Sequence, residues 1–282
     1  MAPPDGTRIV LGPNQYGKAE VRLVRVDRAT DRHAIADLNI TTQLRGDFTA
    51  CHTEGDNGHI VPTDTQKNTV HAFARDGVGA PEDFLLRLAR HFTTGHEWVT
   101  GAHLSAEQYS WERLGDHAFA RAGRETRTAS VEMDGDRVVV TAGLKDCMVL
   151  KSTDSEFHGF PRDRYTTLTE TSDRILATEV TATWTYGSDA LDYDAAYAEV
   201  RDLLLATFAD HHSLALQQTI FAMGTAVLER RADIESVTLV CPNKHHFLVD
   251  LEPFGLDNPG EVFFAADRPY GLIQATVVRE HG

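Results

Sequence analysis

The chain has 282 residues, and 27 Lys and Arg set against 42 Asp and Glu give a formal net charge of −15, which opposes a phosphate backbone as partner. At 41% hydrophobic and 24% charged residues the composition excludes wholesale disorder. Its length, at about 150 residues per domain, predicts two domains or one architecture with an internal repeat.

Val21 to Val26 and the alternation Ala34, Ala36, Leu38, Ile40, Thr42, Leu44 predict two strands, joined as a β-hairpin across the polar Asp27 to Arg32 connection. Pro81-Glu82-Asp83 suits the first turn of a helix, and Phe84, Leu85, Leu88 and Phe92 follow at helical spacing. Ser130 to Met133 and Arg137 to Thr141 flank Asp134-Gly135, the signal of a second hairpin. Met148 to Ser152 and Arg174 to Tyr186 read as strands, Tyr193 to Phe208 as a helix, and Leu214 to Arg231 as another behind a Ser213 cap. Strands return at Val237 to Cys241, His245 to Leu251, Glu261 to Ala265 and Leu272 to Val278. Each half reads strands, helix, strands, which predicts an α+β protein of two similar halves.

No run reaches the roughly 18 apolar residues of a membrane helix, and Met1 to Thr7 lack the regions of a secretion signal. Cys51, Cys147 and Cys241 lie far apart without a CxxC pair, which fits a reducing cytoplasm. There is no GxGxxG, P-loop, HExxH, GxSxG or EF-hand loop, so nucleotide-dependent and zincin-type chemistry is not expected. His211-His212 and the pair His91 and His96 lack the spacing of metal ligands with nearby acids and read as solvated or helix-end histidines.

The basic residues divide into 22 Arg and five Lys: Lys18, Lys67, Lys145, Lys151 and Lys244. An Arg-rich chain has reason to keep lysine where a compact amine must lose its proton. Three segments are polar where strand ends or turns are expected: Val61 to Thr69, Lys151 to Phe160 and Pro242 to Phe247. In the third, period-2 geometry puts Asn243 and His245 on one face and Lys244 and His246 on the other.

Tyr16-Gly17-Lys18, Thr63-Asp64-Thr65-x-Lys67-Asn68-Thr69, Lys151-Ser152-Thr153-x-Ser155-x-Phe157-x-Gly159-Phe160, Asp163-x-Tyr165-Thr166-Thr167-Leu168, Asp173-Arg174-Ile175-Leu176 and Pro242-Asn243-Lys244-His245 resemble, in order and spacing, the urate oxidase (uricase) family. The resemblance covers nearly the whole chain. It implies a tandem T-fold, with an N-terminal tail at 1–14, a first half at 15–144 and a second at 145–282. It further implies a homotetramer around a β-barrel tunnel with active sites at subunit interfaces. The reaction implied is oxidation of urate by O₂ and water to 5-hydroxyisourate and hydrogen peroxide, without metal or organic cofactor.

The resemblance assigns roles residue by residue. Phe157 would stack on the purine, Arg174 would present its planar fork to one edge, and Gln217 with the backbone N–H of Leu216 would close the other. Seen alone, these residues read as core packing, a surface ion pair and an exposed helix amide. Lys18, Thr63 and His245 match the family's proton relay. A hydroxyl is a poor base, and an amine can take its proton only when partly neutral. Asn243, beside Thr63, would hold O₂ and then water or peroxide, and Asp64 would offer its backbone N–H.

The chain departs from the family at His52, where tyrosine is frequent, and at Leu216, where a smaller apolar residue is usual. Val278 to Gly282 lacks a Ser-Lys-Leu-type peroxisomal address, which implies a bacterial-type cytoplasmic enzyme. Two rival readings stand beside this one: another T-fold purine or pterin enzyme, and a non-catalytic purine-binding scaffold that kept the clamp and lost turnover.

Overall fold

The computed structural model describes residues 8–266 and 268–280. The residues read above for a missing secretion signal, and the last two of the C-terminal address, lie outside the described residues. Contacts divide the chain into two compact units, Met1–Ala120 with Ala129–Val140, and Arg121–Thr128 with Thr141–Gly282.

In chain order the elements are β1 (Tyr16–Asp27), β2 (Ala34–Gly46), α1 (Thr49–Glu54), α2 (Thr63–Arg75), α3 (Pro81–Gly95), β3 (Val99–Gln108), β4 (Trp111–Arg113), β5 (Phe119–Arg121), β6 (Thr126–Asp134) and β7 (Arg137–Lys151). They continue with β8 (Leu176–Tyr186), α4 (Tyr193–Asp210), α5 (Leu216–Arg230), β9 (Ile234–Asn243), β10 (His246–Leu248), a 3₁₀ turn at Glu252–Phe254, β11 (Phe263–Ala265) and β12 (Gly271–Val278). Eight strands form an antiparallel sheet in the order β1-β2-β3-β6-β7-β8-β9-β12, and β4-β5 and β10-β11 form small ribbons. The chain is thus α+β, as its periodicity predicts.

In the first unit the expected hairpin is β1 against β2, and the alternation shows directly: Leu38, Ile40, Thr42 and Leu44 are buried while their odd neighbours from Asn39 onward are not. α3 begins on Pro81 and buries Phe84, Leu85, Leu88 and Phe92 on one face, against β3. Glu82 stands in the first turn as expected and is fully buried. The polar Val61 to Thr69 stretch is not a strand end. It opens helix α2, whose buried residues Gln66, Val70 and Ala74 fall at helical spacing behind Pro62.

In the second unit α4 is capped by Asp192, whose carboxylate accepts from the Ala195 N–H at 3.0 Å. Ser213 is not the cap of the next helix. It is fully buried, its Oγ accepts from Thr219 Oγ1 at 2.8 Å, and α5 starts at Leu216 with no side chain capping it. The strands expected at Arg137 to Thr141 and Met148 to Ser152 are one continuous strand, β7, in which Asp146 takes a positive φ of 63°. The interruption in alternation marks that kink rather than a strand end. Trp184, Tyr193, Leu204, Val227 and Leu239 are buried in this unit's core.

Candidate active site

The first unit gathers Lys18, Thr63 and Asp64 where the start of β1 meets the start of α2. Tyr16 ties the two: its hydroxyl accepts from the Val61 N–H at 2.8 Å and donates to the Val61 carbonyl at 3.1 Å. Gly17 permits the approach, because a Cβ there would lie 1.7 Å from the Thr42 carbonyl oxygen. Thr42 Oγ1 accepts from the Lys18 N–H at 3.4 Å and donates to Oε1 of buried Gln66 at 2.8 Å, and Gln66 Nε2 reaches the Val61 carbonyl at 3.3 Å. A register shift between Lys18 and Val21, with Glu20 at a φ of 56°, bends β1 just beyond the lysine.

Thr63 is the first residue of α2, exposed, and its hydroxyl caps nothing. The Asp64 carboxylate is held by Lys67 and by Asn68 Nδ2 at 2.9 Å. The Lys67 ammonium, with a smaller effect from Lys18, keeps that carboxyl below its usual pKa. Its side chain being engaged, Asp64 offers a ligand its first-turn N–H, which no backbone carbonyl of the helix can occupy.

The second unit carries Phe157, Arg174, Leu216, Gln217, Asn243 and His245, and sets Arg174 beside both Phe157 and His245. The Phe157 backbone exchanges hydrogen bonds with Thr171, at 2.9 and 3.0 Å, and its ring stacks on Phe160 at 5.1 Å. The Arg174 guanidinium lies 5.2 Å from the Phe157 centroid, within cation–π range. Burial lowers its pKa from the ordinary value, and its buried Nε has no hydrogen-bond partner. A buried donor left unspent is costly unless a ligand accepts from it.

Asn243 ends β9, in register with Thr178 of β8 and Gly271 of β12. The Lys244 N–H donates to the Ala177 carbonyl at 2.8 Å, and its side chain turns to Glu179, 3.7 Å away, and to the Tyr270 ring. His245 turns elsewhere: burial, then the Arg174 charge, holds its imidazole below the ordinary range. Lys244 and His245 lie in the break between β9 and β10, so the two side chains part there and not on alternating faces of one strand.

α5 brings an uncapped N-terminus. Leu216 is buried and Gln217 exposed on its first turn, and the first helix bond is Thr219 N–H to the Ala215 carbonyl at 3.1 Å. The N–H groups before it and the helix dipole favour an anion. The start of α5 is locked to the Phe157 segment through Ser213, whose N–H donates to the Asp154 carbonyl at 3.0 Å and whose carbonyl accepts from the Glu156 N–H at 2.7 Å.

The polar segments hold Thr63, Asp64, Phe157, Asn243 and His245 and the lysine inventory holds Lys18, whereas the resemblance alone named Arg174, Leu216 and Gln217, and the sequence did not expose their supports. Gln66 and Thr42 carry no chemical motif, and only the spacing of Gln66 with Val70 marks it as buried. Lys151 donates to the His211 carbonyl at the end of α4. His212 indeed follows a helix end and is half exposed, yet it also bridges Asp154 and Glu156. Among the described residues no group of three or more His, Cys, Asp and Glu could hold a metal ion, and no helix is long and apolar enough to cross a membrane. The three cysteines are free, and burial pushes the Cys241 thiol up to about 12.

An antiparallel sheet packed with helices defines an α+β protein, and the comparisons with known proteins make it an oxidoreductase. The uricase family profile matches residues 14–132 and 140–274. The uricase of Arthrobacter globiformis is 62% identical over 98% of this chain and 92% of its own, and that of Aspergillus flavus is 36% identical over 94% and 95%. The crystal structure of the Arthrobacter globiformis enzyme superposes with a TM-score of 0.96, covering 98% of this chain and 97% of that one. The chain belongs to the uricase family, oxidoreductases that act on urate with O₂ in purine degradation.

Proposed function

We infer that the two clusters are the two halves of one urate-oxidising site, in which the second unit's residues hold the purine and the first unit's move its proton. The observation that carries the reading is the unspent, buried Arg174 Nε beside the Phe157 ring. Urate is a planar anion, and a guanidinium fork, an aromatic face and free N–H groups at Leu216 and Gln217 answer its charge and shape. Asp64 adds its N–H.

Proton removal falls to Thr63, backed by the Lys18 amine, and His245 orients and reprotonates the relay. Because its imidazole is held neutral at neutral pH, His245 can accept a hydrogen bond as well as donate one. Asn243 holds O₂ and then the water that adds to the oxidised ring. Urate, O₂ and H₂O give 5-hydroxyisourate and H₂O₂: urate loses two electrons and two protons, O₂ takes both, and water adds at the ring carbon. No metal or organic cofactor enters this scheme.

The test is urate consumption by chelator-treated protein, followed by near-UV absorbance with O₂ uptake and peroxide release. Equimolar loss of urate and gain of peroxide supports the reading. Binding without consumption would replace it with a purine-binding scaffold.

The assembly follows the family: tandem T-fold halves at 15–144 and 145–282, closing as a homotetramer around a β-barrel tunnel, in the cytoplasm. In that assembly the sites are shared between subunits. Inactive Lys18→Ala and Arg174→Ala chains, refolded together at equal amounts, are then expected to recover about a quarter of parental activity by random pairing. Recovery of none would place each whole site within one subunit.

A further inference from the structure

His212 stands between the two pieces of chain that carry the purine clamp. Its Nδ1 is bonded to Asp154 Oδ1, and its Nε2 lies 2.5 Å from Glu156 Oε1. Both ring nitrogens donate only in the imidazolium form, and a neutral ring would turn a lone pair on one of the carboxylates. The two acids lie one and three residues before Phe157, while His212 directly precedes Ser213 and the approach to α5.

We propose that His212, clasped in its charged form by Asp154 and Glu156, is a positioning residue that holds the Phe157 ring in register with the N-terminus of α5 and so sets the affinity for the planar substrate anion. This rests on the reading that Phe157 and the start of α5 touch urate. The backbone bonds of Ser213 fix the two segments at one point, and the side-chain clasp adds a second and third attachment on the side leading to the ring. Two segments joined at several points cannot pivot about one.

The clasp is embedded in charge. Lys151 Nζ lies 3.7 Å from Asp154 Oδ2, and His158 Nε2 lies 2.9 Å from Glu156 Oε2. The Asp173 carboxylate accepts from Thr153 Oγ1 at 2.9 Å and from the Asp154 N–H at 3.0 Å. Loss of the His212 proton therefore leaves Asp154 the Lys151 ammonium and Glu156 the His158 ring, and removes the bridge between the two acids. Asp154 first and Glu156 next raise the His212 pKa above the ordinary imidazole value, and both acids are held below theirs. The stabilisation is complete below the ordinary value and is lost as pH rises through the raised one. Tight binding at neutral pH and weakening in alkali follow.

Steady-state kinetics on urate from about pH 6 to about pH 9 test this with the full-length protein. His212→Gln is expected to raise KM about threefold to fivefold at neutral pH with kcat unchanged, and to remove the alkaline rise in KM that the parent shows. His212→Arg, charged throughout and able to bridge two carboxylates, is expected to restore the parental KM and hold it into alkali. Should His212→Gln not fold, Glu156→Gln breaks one arm of the clasp and is expected to raise KM likewise.

Phe157→Ala is measured alongside. If it raises KM while His212→Gln leaves KM parental at every pH, or lowers only kcat, the positioning role is overturned and the site reading stands. If Phe157→Ala leaves KM unchanged, the site reading fails and takes the proposal with it.

Discussion

Gly17→Ala tests how the fold places Lys18. The added Cβ would meet the Thr42 carbonyl oxygen at 1.7 Å, the Thr42 carbonyl carbon at 2.6 Å and Gln43 Cα at 2.8 Å, against 3.4 Å or more for ordinary contact. All three atoms are backbone of β2, which is held on its other side by β3, so the start of β1 must retreat by more than an ångström. That retreat breaks the pairing of Tyr16 with Leu44 and Lys18 with Thr42, and loosens the Tyr16 hydroxyl from Val61. Two or three lost hydrogen bonds at about 1 kcal/mol each, with about 1–3 kcal/mol of overpacking, come to about 3–6 kcal/mol. The pairs from Val21 to Asp27 lie beyond the register shift and are spared, so the chain still folds. Displacing the amine by about 1 Å then costs about 10²-fold in turnover. Turnover at saturating urate and thermal unfolding measure both losses. A variant with parental kcat and Tm would refute the argument that close approach at Gly17 sets the lysine.

Lys18→Arg and Thr63→Ala are each expected to lower kcat by about 10²–10⁴-fold, since a permanent cation cannot take the threonine's proton and an alanine has none to pass; near-parental turnover in either would remove that residue from the relay. Arg174→Lys keeps the charge and loses the planar fork, and should raise KM at least about tenfold, read from initial rates. His245 should titrate below the ordinary imidazole range by ring-proton NMR, and Arg174→Gln should move it upward because the neighbouring cation is gone. The sign for stability follows: on acidification through the ordinary value the unfolded chain takes up a proton that folded His245 declines, so this group lowers Tm as pH falls. Gly224→Ala, normally helpful inside a helix, places a Cβ 2.5 Å from Val277 Cγ2 and is expected to destabilise by about 1–3 kcal/mol in denaturant unfolding.

Much of this protein was legible before its structure. Alternation from Ala34 to Leu44 and the apolar spacing of α3 depend on which face is buried, a property written at periods of two and about 3.6 residues. Lysine scarcity and the ordered motifs from Tyr16 to His245 pointed to the residues proposed for the site, because those motifs match the uricase family in order and spacing. α2 was missed because Thr63 to Thr69 is polar throughout and its buried glutamine does not look like core.

What only the tertiary structure decided are the relations between segments distant in sequence. Gly17 lies where an added Cβ would strike the Thr42 carbonyl, Ser213 serves as a buried tie rather than a cap, Arg174 keeps a buried donor unspent, and His212 joins two acids more than fifty residues away. Sequence determines local periodicity and chemical inventory, since both are carried by neighbouring residues. Distances, burial and pKa shifts arise where separated segments exclude water together, and no local pattern encodes that meeting.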